Sequence, residues 1–139
     1  MTNDDQRPGR AASSWLPAAV LRGASILLLV QGAAAWSMLL GIAGPGEGFD
    51  GLAAPTRKLL LVHALLCPVA MVGTWSATDW GAVLWGLVPV SLLVALATDV
   101  SNAAFIGALL ALHGGGVLVW FALTWRAARA TRDERVMFR

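Results

Sequence analysis

Four runs of about twenty mostly apolar residues, separated by short polar breaks, constrain this chain more than anything else in it. A helix of that length, rising about 1.5 Å per residue, spans the ~30 Å hydrocarbon core of a bilayer. The runs cover approximately residues 16–42, 56–75, 80–98 and 102–126. None alternates with the period of two that a membrane barrel strand requires. Ser13 and Ser14 are candidate N-caps for the first helix, and "GPG" at 44–46 is its expected stop. Pro55 suits the opening of the second helix because its missing N–H is not needed there, and Ser101 suits the N-cap of the fourth.

The breaks "SATD" and "TDVSN" are too short for anything but antiparallel neighbours, so the fold expected is an all-α membrane protein, an up-down-up-down four-transmembrane-helix bundle. A polar N-terminal tail, 1–14, precedes a four-helix domain, 15–126, and a basic C-terminal tail, 127–139, follows it. The apolar stretch behind the N-terminal tail is too long for a signal-peptide core, so the segment reads as retained. The composition agrees: of 139 residues 58% are hydrophobic and only 13% charged, against the usual quarter in soluble domains. A formal charge of +2 does not point to nucleic acid, because the basic residues collect at the chain ends. Arg7, Arg10, Arg22, Arg126, Arg129, Arg132, Arg135 and Arg139 fall on the side of the termini, and only Arg57 and Lys58 on the other. Cationic residues favour the cytoplasmic side, which gives an N-in, C-in multi-pass protein of the inner (plasma) membrane. Arg22 lies in the long first helix, where it can snorkel to the headgroups.

"AVLRG" at 19–23 returns as "AVLWG" at 82–86, and each is followed one helix later by a histidine standing twelve residues before a tryptophan. These pairs are His63 with Trp75 and His113 with Trp125, the pattern a duplicated helical hairpin would leave. Trp15, Trp75, Trp80 and Trp125 fall at the expected cytoplasmic helix ends, where an aromatic belt belongs. Measured from that belt, His63 and His113 share one depth about 18 Å in. They stand on diagonal helices running in the same direction, and they are the only two histidines.

Two imidazoles so placed suit the two faces of a heme b iron. Gly114, Gly115 and Gly116 keep the fourth helix bare where a flat ring would slip between helices. Gln31 stands in mid-membrane and needs a partner, either a histidine Nδ1 or a heme propionate. Arg57 and Lys58, outward of His63, would pair with propionates. Equally open is the bland role of a membrane histidine as a bridge to a neighbouring helix. His63, Cys67 and Met71 form a one-face stripe of soft donors that would suit Cu(I) with His113 completing the set, or would simply pack. No acid lies at mid-membrane, and Ser, His and Asp form no hydrolytic triad.

Gln31, "HALL" at 63–66 and Leu112–His113 carry a resemblance to one half of heme A synthase, whose four-helix bundles each place one histidine in the second helix and one in the fourth. The same residues make the chain similar to a group of small four-helix bacterial membrane proteins. Heme A synthase carries a glutamate near its second-helix histidine, whereas "RKLLLVH" has no acid. The resemblance therefore implies heme binding without synthase chemistry. The function expected is a cytochrome b-like electron carrier holding heme b between His63 and His113, exchanging electrons with quinone or a larger respiratory-type membrane complex. Two alternatives stand beside it: a cofactor-free structural or assembly subunit, and a copper-handling protein.

Overall fold

The computed structural model describes residues 8–43, 49–98 and 103–137. Among the described residues there are four α-helices and one short 3-10 turn: α1 Pro8–Leu39, a turn at Phe49–Gly51, α2 Ala54–Trp75, α3 Asp79–Ala97 and α4 Ala103–Met137. No strand occurs among the described residues. Each helix contains a stretch long and apolar enough to cross a membrane: Trp15–Leu39, Ala54–Trp75, Asp79–Ala97 and Ala103–Ala130. In contact order the helices form a square, α1 on α2, α2 on α3, α3 on α4, with α4 closing on α1 through the least extensive seam. Up-down-up-down connection gives this neighbour order.

Inside the square lie Leu28, Cys67, Val88, Leu92 and His113, each fully buried, while Leu29, Val30, Leu65, Val69, Phe105 and Leu118 face outward. An outer surface of large aliphatic side chains is what hydrocarbon solvates, so the packing inside the square uses small residues and polar ties.

Helix ends depart from the sequence expectation at several points. Ser13 and Ser14 lie within α1 rather than capping it, because the polar residues ahead of the apolar run continue the helix outside the core. Its stop comes earlier than "GPG", whose residues lie outside those described. Gly41, at φ 70°, takes the left-handed position, Ile42 N–H donates to the Ser37 carbonyl at 2.9 Å and Gly41 N–H to that of Met38 at 3.2 Å. That is the Schellman closure of a helix. Pro55 does sit in the first turn of α2, while Ser101 lies outside the described residues. At the other extreme, α4 runs on to Met137, so most of the expected C-terminal tail is helix. Its 35 residues measure about 52 Å, well beyond a ~30 Å core. Ala and Arg, abundant after Trp125, are strong helix formers that need no hydrocarbon to stay helical. Arg129 stacks over the Trp125 ring at 5.1 Å.

The two short sequence matches also prove unequal. "AVLRG" turns its third residue, Leu21, into the core, whereas "AVLWG" turns in its first and fourth, Ala82 and Trp85. Equivalent residues of the two hairpins thus face differently.

The α2–α3 hairpin is the tightest approach in the fold. A Cβ added to Gly73 would stand 2.5 Å from Gly81 Cα, and one added to Gly81 would collide with the Gly73 carbonyl carbon. The helices touch backbone to backbone, so neither position accepts a side chain. A Gly81→Ala chain should lose about 1–3 kcal/mol in detergent unfolding, the usual cost of overpacking. Gly86→Ala, with nothing within 4 Å of the added carbon, should be close to neutral in the same experiment; equal effects would contradict the contact.

Candidate functional site

The two histidines and Gln31 all take part in polar ties between helices. Trp85 of α3 is 2% exposed, and its indole approaches α4 at Gly116, where an added Cβ would stand 2.7 Å from Trp85 Cζ2. From there Trp85 Nε1 donates to His113 Nδ1 at 3.0 Å. An indole N–H can only donate, so Nδ1 carries no proton and the neutral ring holds its proton on Nε2. That Nε2–H donates to Gln31 Oε1 at 2.6 Å. The amide orientation is thereby set, because a reversed Gln31 would present N–H groups to a nitrogen that is itself a donor. Gln31 Nε2 consequently points away and is buried without a partner.

The second histidine makes a simpler tie. Ser91 Oγ spends its proton on the Val88 carbonyl at 2.7 Å, so His63 Nε2–H is the donor in the 3.0 Å bond between the two side chains. This joins α2 to α3.

A fourth tie was not foreseen from the residues. Pro68, inside α2, has no N–H to give the Ala64 carbonyl, and Trp36 Nε1 of α1 donates to that carbonyl at 2.9 Å. One turn earlier, Gly32 brings α1 close against the proline, since a Cβ there would lie 3.3 Å from both Cys67 Cβ and Pro68 Cδ. The sequence signal was present, in that a mid-helix proline implies a carbonyl needing a donor.

The histidines do not share a depth. His63 meets α3 at Ser91 and His113 meets it at Trp85, six residues apart and so about 9 Å along the axis. The tryptophan belt misled because α4 continues through Trp125 as unbroken helix, so that residue does not mark the same level as Trp75 at the end of α2.

As folded, neither ring nitrogen of His113 is open to a heme iron. A ligating histidine bonds the metal through one ring nitrogen and donates N–H from the other. His113 instead accepts a hydrogen bond at Nδ1 from a donor-only group and donates Nε2–H to Gln31. The flat ring that Gly116 admits is the Trp85 indole, while added Cβ atoms at Gly114 and Gly115 meet nothing within 4 Å. For the copper alternative, His63 turns to Ser91 of α3 and Cys67 packs on Gly32 of α1, with Met71 beside the same apolar cluster. No group of three or more His, Cys, Asp or Glu converges among the described residues. Arg57 is half-buried, and Lys58 is exposed near the start of α2.

The Trp85–His113 bond has a measurable signature. A double-mutant cycle of Trp85→Phe with His113→Leu should show a coupling of about 1 kcal/mol in detergent unfolding, the range of interhelical hydrogen bonds in membrane proteins. Additive single effects would mean that the two side chains do not interact.

No curated protein matches this chain, and no solved structure does. Nor does any match support the resemblance to heme A synthase. One family profile covers residues 15–131, which take in all four apolar spans. The chain belongs to the DUF6163 family, a family of unknown function.

Proposed function

We propose that this protein is a cofactor-free integral membrane subunit that scaffolds or assembles a larger membrane complex, with both termini in the cytoplasm. The observation that carries the proposal is the double engagement of His113, whose two ring nitrogens are taken by Trp85 and Gln31. Such a histidine acts as a strut between three helices and leaves no nitrogen for a metal. The eight-to-two bias of cationic residues along the sequence, toward the chain ends and away from the α1–α2 connection, supports the orientation.

Gln31 supports the assembly role. Its amide N–H₂ has no acceptor, on the helix whose seam with α4 is the least extensive of the four. A donor left bare in hydrocarbon costs about 1–3 kcal/mol. A carbonyl or carboxylate from a partner helix entering the α1–α4 seam would remove that cost.

The competing function, a cytochrome b-like carrier resembling half of heme A synthase, requires His113 to release Trp85 and Gln31 and both histidines to turn to a common iron. Protein extracted from its own membranes in mild detergent distinguishes the two. The proposal expects no Soret or α band in the dithionite-reduced spectrum, and a native mass well above the 14.5 kDa of the chain with other proteins in fixed ratio. Low-spin heme bands lost in both His63→Ala and His113→Ala would overturn the cofactor-free assignment. A chain that migrates alone as a monomer would overturn the assembly role.

A further inference from the structure

At the end of the bundle that carries the α1–α2 connection, α2 and α3 separate to leave a cleft of about 430 Å³. Its walls are Ala54, Pro55, Leu59 and Val62 of α2 and Val94 and Ala95 of α3, with Lys58, Ser91 and Thr98 as the polar side chains among the described residues. We infer that this cleft is a binding site for an anionic phospholipid, with the phosphate on Lys58 and an acyl chain lying between the two helices toward Ser91.

Three observations carry the assignment. First, the polar groups in the cleft are unequal. Thr98 Oγ1 donates back to its own helix, at 3.0 Å to the Ala95 carbonyl and 3.2 Å to that of Val94. Ser91 Oγ donates to the Val88 carbonyl and accepts from His63. Neither hydroxyl has a proton to offer a ligand, so the deep end of the cleft makes no demand that a methylene chain would leave unmet.

Second, Lys58 stands one turn into α2, level with the end of α3, which is headgroup depth for helices of this length. Among the described residues no acidic side chain lines the cleft and Lys58 is its one charged group, which calls for an anion. Third, from Ser91 to Thr98 the cleft follows about 10 Å of helix, running from headgroup depth into the hydrocarbon. A phosphate at the mouth and an apolar chain inward match that order of charge and apolar lining. A ligand with its polar head at the deep end would meet only the Ser91 hydroxyl, which is already satisfied.

The experiment is native mass spectrometry of the full chain in detergent, titrated with phosphatidylglycerol or with phosphatidylcholine of the same acyl chains. One saturable phosphatidylglycerol site is expected, preferred over phosphatidylcholine. Lys58→Gln should weaken phosphatidylglycerol about fivefold, as loss of one cation near an anionic surface does, and Lys58→Arg should retain it. Val94→Trp, filling the cleft from an exposed position, should abolish the saturable site while the far-UV spectrum and melting temperature stay as in the unaltered chain. Equal uptake of the two lipids, or undiminished phosphatidylglycerol binding in Lys58→Gln, would overturn the assignment. So would a Val94→Trp chain that keeps the saturable phosphatidylglycerol site, since the lipid would then lie elsewhere. Because the lipid titration uses the isolated chain, its failure is separate from failure of the assembly role.

Discussion

The Trp85 indole N–H is the group on which the polar arrangement depends. Being donor-only, it settles which nitrogen of His113 is protonated, and that settles which end of the Gln31 amide faces the histidine. A single bond on α3 thus propagates through α4 to α1 and leaves Gln31 Nε2 as the unmet donor. Gly116 makes the bond possible, because only a residue without Cβ lets the indole lie against α4 at that height.

Seen around the square, each pair of neighbouring helices has one such tie. Trp36 to the Ala64 carbonyl joins α1 to α2, His63 to Ser91 joins α2 to α3, Trp85 to His113 joins α3 to α4, and His113 to Gln31 closes α4 on α1. In lipid the hydrophobic effect does not press one apolar helix on another, and interhelical hydrogen bonds contribute about 0.6–2 kcal/mol each. Four of them are too weak to hold the bundle alone, and their value lies in fixing which residue meets which. Close contact comes from the small residues, Gly73 on Gly81 and Gly32 on Pro68, which bring the backbones near enough for dispersion to act.

Much of the fold was legible in the sequence because membrane span length is a one-dimensional property, and four apolar runs with short breaks leave few arrangements. Helix ends were less legible. Gly41 was hidden behind the stronger signal of "GPG", and the apolar run of α4 marked where the hydrocarbon ends rather than where the helix ends. The site was legible only in part. Gln31 in mid-membrane demanded a partner and has one in His113, bonded through Nε2 where Nδ1 had been considered. Ser91 went unrecognised as the partner of His63 because the register of α3 against α2 is set by backbone contact at Gly73 and Gly81, and Trp85 as that of His113 because its indole reaches α4 over Gly116; no spacing along one helix reveals either contact. The shared depth of the histidines, read from tryptophans, failed for a different reason: a belt residue dates a helix end only where the helix ends, and α4 continues past Trp125.

The central claim is that His113 is a neutral strut with its proton on Nε2, taking a hydrogen bond at Nδ1. Nitrogen-15 NMR of histidine-labelled protein in bilayers reads this directly. The account predicts one protonated and one bare nitrogen for His113, with the bare Nδ1 signal shifting in Trp85→Phe as its donor is lost. A His113 ring with its proton on Nδ1 and Nε2 bound to a metal would contradict it.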